Sequence, residues 1–274
     1  MSLLTVDKEK CRRDGICTEV CPAAIIEFKE KDAFPTVING GKLFCINCGH
    51  CVAACPHDAM SHRLMKSADC PPIKKELHIS PEQIEQFLRS RRSVRVYKDK
   101  IVEKALLTRL IDIAHYAPSG HNLQPVNWLV IHDKEAVQRL AGLVADWMRH
   151  LIDENSPLAA AMHLDRVISA WQDGKDRICR SAPHLIVAHA RKDNPTAPAA
   201  CTIALTYLEL ATVPLGFGAC WAGYFNTAAN FWPPLQTALK LPDNHMPFGA
   251  MMVGYPKFRY HRLPSRKPSR VVWR

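Results

Sequence analysis

From residue 80 onward the apolar positions fall into windows of helical or strand period. Ser80-Pro81-Glu82-Gln83 supplies an N-cap hydroxyl, a proline at the first helical position and a glutamine three residues after the cap. That combination predicts a helix running to about Arg91. Leu106, Leu107, Leu110, Ile111 and Ala114 recur at i, i+3, i+4 spacing and predict a helix over 103–116, stopped before Pro118. Trp128-Leu129-Val130-Ile131 reads as a buried strand, and 134–152 and 160–172 read as helices. A second strand is predicted over 184–190. Residues 198–211, small and apolar on all sides, form a predicted buried helix. Another helix falls within 227–239, restarting at Pro233-Pro234, and a last strand spans 248–253. Many helices and few strands predict an α+β fold, not a doubly wound parallel sheet.

Residues 1–65 read differently. Seven of the eleven cysteines lie between Cys11 and Cys55; Cys70, Cys179, Cys201 and Cys220 are scattered. A segment this short cannot bury a strong core and needs a covalent or metal staple. Residues 66–79 read as a linker, broken at Cys70-Pro71-Pro72 and solvated at Lys74-Lys75-Glu76. The expected organisation is a small domain over 1–65, a linker over 66–79 and a larger domain over 80–274.

Composition narrows the choice. Hydrophobic residues at 47% and charged residues at 23% are ordinary for a soluble globular protein. No apolar run reaches the roughly 18 residues of a membrane span, so no membrane partner is expected. The first ten residues lack an apolar stretch of signal-peptide type, and crowded cysteines without an export signal suit metal binding in a reducing cytoplasm. The formal charge is +10. A basic balance admits nucleic acid as a partner, but no recognition motif accompanies it and none is expected.

The cysteine spacing carries the most specific chemistry. Cys45-Ile46-Asn47-Cys48-Gly49-His50-Cys51-Val52-Ala53-Ala54-Cys55-Pro56 is C-x2-C-x2-C-x3-C-P, a run associated with [4Fe–4S] clusters. Zinc sites more often split into two separated ligand pairs. Cys11-Arg12-Arg13-Asp14-Gly15-Ile16-Cys17-Thr18-Glu19-Val20-Cys21-Pro22 repeats the frame with Asp14 in place of the second cysteine. The two halves resemble bacterial-type dicluster ferredoxins, in which the cysteine before each proline crosses to the other cluster. The resemblance assigns Cys11, Cys17 and Cys55 to cluster I, with Asp14 as its fourth ligand, and Cys45, Cys48, Cys51 and Cys21 to cluster II. A carboxylate is a harder donor than thiolate. An Asp-ligated [4Fe–4S], a [3Fe–4S] and no stable first cluster are all open at Asp14. With a complete cysteine set, His50 and His57 are read as surface residues.

Three segments of the larger domain have a second chemistry. Arg91-Arg92-Ser93-Val94-Arg95 concentrates three guanidinium groups and a hydroxyl, which suits a phosphate ester. Ala117-Pro118-Ser119-Gly120-His121-Asn122-Leu123-Gln124-Pro125 offers donors and acceptors fit for a flavin pyrimidine edge. Leu215-Gly216-Phe217-Gly218-Ala219-Cys220-Trp221-Ala222-Gly223 allows close backbone approach. It lacks the third glycine of a dinucleotide fingerprint, and its Cys220 reads as a core residue. In this order and spacing, over roughly 81–264, the segments resemble the FMN-dependent nitroreductase family.

The resemblance implies a sheet containing antiparallel strands flanked by helices, and a homodimer sharing its FMN sites. It places Arg91, Arg92, Ser93 and Arg95 on the FMN phosphate. It places Pro118, Ser119, Asn122 and Gln124 at the flavin of the partner subunit. Trp221 would lie against the ring, with the Ala222 and Gly223 amides near N5, and Arg262 would add a phosphate contact near the C-terminus. Gly174-Lys175-Asp176 to Arg180-Ser181-Ala182-Pro183 precedes a strand and is placed near the flavin, but neither Arg180 nor His121 receives a role. The implied activity is an iron–sulfur flavoprotein oxidoreductase that passes electrons through the clusters to FMN and on to a small acceptor such as a nitroaromatic or quinone. Its donor is a reduced ferredoxin or NAD(P)H, and no residue acts as a general base because the chemistry is flavin-borne. Dehydrogenation, dehalogenation or flavin remodelling on the same scaffold, and an electron relay to a protein partner, are the alternatives.

Overall fold

The structure, a computed structural model, describes residues 2–30 and 32–274. Its contacts divide the chain into two compact units. The first comprises Met1–Ile79 together with His121–Leu123; the second comprises Ser80–Gly120 and Gln124–Arg274.

The first unit holds β1 (Leu4–Val6), α1 (Ile16–Glu19), β2 (Ile26–Glu27), β3 (Thr36–Val37), α2 (His50–Ala53) and β4 (Met60–His62). β1 pairs antiparallel with β4, and β2 with β3. The two halves repeat in backbone as well as in sequence. Gly15 and Gly49 both take left-handed φ, 79° and 74°, immediately before α1 and α2. Arg13 and Asn47 match at φ 58° and 53°, and Ala24 and Asp58 at 49° and 50°. Left-handed turns at equivalent points coil each cysteine run back on itself. The core beneath them is small: Leu3, Ile25, Ile26, Val52 and Met60. Short turns at Ser67–Asp69 and Lys75–Leu77 follow, with no buried residue.

The second unit contains α3 (Pro81–Ser90), α4 (Lys104–Ala114), β5 (Asn127–Ile131), α5 (Lys134–Asp153), α6 (Pro157–Ala161) and α7 (Leu164–Gln172). Beyond these come β6 (His184–Arg191), α8 (Ala197–Thr212), β7 (Gly218–Trp221), α9 (Gly223–Phe231), α10 (Pro233–Leu239) and β8 (His245–Gly254). The sheet order is β5-β6-β8-β7, antiparallel throughout. The α+β expectation holds.

Alternation along the strands explains the layering. Leu185 and Val187 of β6 and Ala250 and Met252 of β8 face α5, α7, α9 and α10. Ile186, Ala188, Met251 and Val253 face α4 and α8 on the other side. α3 starts with both reciprocal bonds of a capping box, Gln83 N–H to Ser80 Oγ at 3.2 Å and Ser80 N–H to Gln83 Oε1 at 2.9 Å. Three expectations shift. The helix expected over 160–172 is two helices, parted at His163, whose φ is 51°. The helix placed in 227–239 begins at Gly223 and restarts at Pro233. β7 carries no apolar alternation and was not expected as a strand; pairing with β8 makes it one.

Candidate functional site

In the first unit the eight donors sort into two sets. Cys11, Asp14, Cys17 and Cys55 line one cavity of about 340 Å³, counted to its open mouth. Cys21, Cys45, Cys48 and Cys51 line a second of about 380 Å³. Each set therefore takes one cysteine from the other half, Cys55 or Cys21. The thiols are mutually perturbed. Burial, then Cys11, raises the Cys17 pKa, and burial, then Cys48 and Cys21, raises that of Cys51 to about 11. Among the described residues no three donors converge on a single point as one metal ion would require. Zinc would draw its sulfurs to about 2.3 Å from one centre. Donors ringing an open space fit a multi-iron cluster.

Asp14 stands where Cys48 stands in the other half. Its Oδ1 accepts the Ile16 N–H at 3.2 Å, and its Oδ2 lies 3.3 Å from His57 Nε2. His57, read from the sequence as a surface residue, lines the same cavity. His50 lines the second cavity. His62, which the motif reading passed over, also lines that cavity, with its Nε2 3.7 Å from Cys45 Sγ. Its signal was the alternation of β4, which puts Met60 and His62 on the buried side.

Asn122 belongs to this first unit. Its Nδ2 donates to the carbonyls of Ile46 (3.3 Å) and Asn47 (3.0 Å), both between Cys45 and Cys48. His121, Asn122 and Gln124 all have positive φ, so the loop doubles back tightly.

In the second unit two distant segments lie side by side. The Val94 N–H donates to the Ala219 carbonyl at 2.9 Å, so the arginine run passes along β7. Gly218 permits this: a Cβ there would stand 2.7 Å from the Val94 Cβ. Arg91 Nη1 donates to Glu209 Oε1 at 2.7 Å, and the Glu209 carboxylate is buried in α8. Ser93 hydrogen-bonds Cys220, whose thiol also feels the charges of Arg95, Glu209 and Arg180. Burial is the leading cause that raises the Cys220 pKa, in keeping with a core residue. Arg180 thus joins the arginine cluster. It sits at φ 58°, beside Ser181 at φ 50°. Asp176 holds that turn by accepting the N–H groups of Ile178, Cys179 and Ser181, each at 2.8 Å. A solvent-open groove of about 1210 Å³ runs past Arg91, Arg92, Lys98 and Arg259 with Tyr255 and Tyr260. Concentrated guanidinium groups beside aromatic faces fit a phosphate-bearing aromatic cofactor.

The remaining expected residues are more scattered. Ser119 Oγ accepts the Gln124 N–H at 2.9 Å, and Pro118, Ser119 and Gln124 line a separate small cavity with Trp128. Trp221, 37% exposed, ends β7. The Ala222 N–H is committed to the Ala250 carbonyl at 2.8 Å. The Gly223 N–H, the other amide of that pair, lies in the first turn of α9. Arg262 lies exposed in the irregular C-terminal segment and does not line the groove.

A helix-flanked antiparallel sheet with a basic groove, in one chain with a unit whose thiols ring two cavities, defines a redox protein of flavin and iron–sulfur type. The profile of the nitroreductase family matches residues 88–255, and that of the 4Fe-4S dicluster domain matches residues 3–56. The chain belongs to the nitroreductase family and is an FMN-dependent oxidoreductase with an N-terminal dicluster domain. A Methanothermobacter thermautotrophicus protein with the provisional name NADH dehydrogenase/NAD(P)H nitroreductase is 25% identical over 188 residues, 67% of this chain and 85% of its own length. A polyferredoxin of Methanothermus fervidus is 32% identical over 87 residues, 31% of this chain and 19% of that protein. A nitroreductase of Bacteroides fragilis, solved with bound FMN, has the same fold: TM-score 0.57 and 19% identity, over 70% of this chain and 99% of that one. No helix among the described residues is long and apolar enough to cross a membrane.

Proposed function

We propose that the chain is an iron–sulfur flavoprotein reductase. Electrons from a reduced ferredoxin or NAD(P)H pass through two clusters to FMN and leave for a small acceptor of nitroaromatic or quinone type. Cys21, Cys45, Cys48 and Cys51 hold one [4Fe–4S] cluster. Cys11, Cys17 and Cys55, with Asp14, hold the other. Bound clusters carry one electron at a time, whereas FMN stores two and passes them as a pair.

The chain's own residues bind and orient. Ser93 and Arg95 share one side of an extended segment, since alternate side chains face alike there; Ser93 hydrogen-bonds Cys220, and the Arg95 charge acts on the same thiol. They grip the FMN phosphate with Arg91, whose guanidinium Glu209 holds in place; Arg180 approaches the same point. Arg92 adds positive charge to the groove wall. Trp221 presents its exposed face to the ring, and the Gly223 N–H supplies a donor there. Pro118, Ser119, Asn122 and Gln124 serve the flavin of a homodimer partner, and Arg262 joins the phosphate from the C-terminal segment. The reaction takes place in the cytoplasm.

The observation that carries this reading is the sorting of eight donors into two four-donor cavities. The test is a cofactor inventory on anaerobically purified protein. One FMN and about eight iron per chain support it. Flavin bleaching by dithionite, reversed anaerobically by a nitroaromatic or quinone, supports the acceptor class. Iron without flavin after FMN reconstitution refutes the flavin reading, and a reduced flavin that no small acceptor reoxidises refutes the reductase.

A further inference from the structure

His62 occupies a defined chemical state beside the second set of thiols. It lies on β4 and is 4% exposed. Its Nδ1 accepts the Leu64 N–H at 3.1 Å. A ring nitrogen that accepts carries no proton, and a neutral imidazole has one, so the proton sits on Nε2. Nε2 faces Cys45 Sγ at 3.7 Å. The Nε2–H therefore donates to sulfur. The backbone bond at Nδ1 both sets the tautomer and aims the ring.

We propose that His62 is a positioning donor that raises the reduction potential of the cluster held by Cys21, Cys45, Cys48 and Cys51. The inference rests on the reading that these four cysteines hold a cluster. Cys45 bound to iron remains an acceptor. Adding one electron makes the cluster and its sulfurs more negative, so a fixed N–H donor stabilises the reduced form more than the oxidised one. Hydrogen bonds to sulfur are among the levers that set such potentials. No bond to iron forms or breaks, and the electron comes from the reductant of the titration. In the other set a backbone N–H, that of Ala59, lies 3.4 Å from Cys55 Sγ, and among the described residues no imidazole is hydrogen-bonded to a thiol of that set. His62 thus acts on the second cluster and not on the first.

The experiment is an anaerobic redox titration of the full chain followed by electron paramagnetic resonance, on the parent, His62→Leu and His62→Gln. A Cys45→Ala variant, which removes the donor atom, assigns the signal of the second cluster. Leu fills much of the space without a donor; Gln restores an N–H. In His62→Leu the reduced-to-oxidised ratio of the second cluster at the parent midpoint should fall about tenfold, a shift of about 59 mV for one electron. The first cluster's midpoint should not move, and His62→Gln should recover part of the shift. An unchanged or higher second midpoint in His62→Leu, or equal shifts in both clusters, overturns the inference while the cluster reading stands. If His62→Leu cannot hold the cluster, His62→Gln decides: a midpoint near the parent's supports the inference, and loss of the cluster there too overturns it. A second cluster signal that survives Cys45→Ala, or a parent that has no such signal, overturns the cluster reading and this inference together.

Discussion

Replacing Arg91 with alanine leaves the Glu209 carboxylate, 6% exposed and 2.7 Å from its partner nitrogen, with its charge uncompensated inside α8. Removing one member of a buried ion pair costs about 3–5 kcal/mol. The Arg91 side chain is itself 25% exposed, so water enters when it is cut back, which holds this case to the lower end. The expected loss is about 3 kcal/mol, or a fall of about 6–12 °C in the melting temperature of a unit this size. Glu209→Gln keeps the shape and an acceptor for Arg91, and should cost about 1 kcal/mol. The assay is chemical denaturation of flavin-free protein followed by far-UV circular dichroism, with the double variant closing the cycle. The double variant should cost less than the sum of the singles by about 1.5 kcal/mol or more, because a buried amide without its arginine is far cheaper than a buried carboxylate without it. An Arg91→Ala cost under about 1 kcal/mol, or simple additivity, would refute the reasoning. Retained FMN should fall in Arg91→Ala and, less steeply, in Glu209→Gln.

Acid should destabilise the second unit through His184. Its Nε2 accepts the Val102 N–H at 2.8 Å and its Nδ1 donates to the His132 carbonyl at 2.8 Å. Burial, the leading cause, lowers its pKa from 6.5 to about 4. The unfolded chain therefore takes up the proton first as pH falls, so stability present above pH 6.5 is lost toward pH 4. This one group should remove about 2 kcal/mol between pH 7.5 and 5, and His184→Gln should flatten that part of the stability–pH curve; an unchanged curve counts against it. Gly218→Ala pushes a methyl into the branched Val94 side chain, whose Cβ lies 2.7 Å from the new carbon. It should cost about 1–3 kcal/mol and release flavin, read by denaturation midpoint and flavin absorbance; a neutral result would place the arginine run elsewhere. Asp14→Cys completes the first thiolate set, so iron per chain after brief air exposure should hold nearer eight than in the parent; equal iron loss in both proteins would show that Asp14 is not the weak corner.

What could be read from the sequence divides by distance along the chain. Cluster ligation is local: Cys45, Cys48, Cys51 and Cys55 lie within eleven residues, and their spacing alone indicates the chemistry. Helices were legible for the same reason. The capping box at Ser80 and the apolar stripe of α4 are local signals, and both elements formed within a residue or two of expectation. β7 was not legible. Gly218-Ala219-Cys220-Trp221 has neither β-branched residues nor alternation, and it becomes a strand because β8 lies beside it. The ion pair of Arg91 with Glu209 spans 118 residues. A glutamate in a helix of small apolar residues was the available hint, since an acid is seldom fully buried without a partner.

The same contrast separates the two functional sites. Around the clusters, sequence proximity selects the ligands, and the fold adds the neighbours that adjust them: His57 at Asp14, His62 at Cys45. Those histidines follow the last cysteine of the motif and carry no spacing signal. At the flavin site the fold does the selecting. An arginine run alone could line any solvated surface. The proposed phosphate grip depends on the fold: the Val94 N–H docks the run on β7, Gly218 leaves room, Glu209 holds the Arg91 guanidinium, and Asp176 holds the turn that carries Arg180. Arg180 had no motif to announce it. Its proposed part follows from a strained turn of which three amide groups point at one carboxylate, and such a turn persists only where the surrounding structure over-determines it.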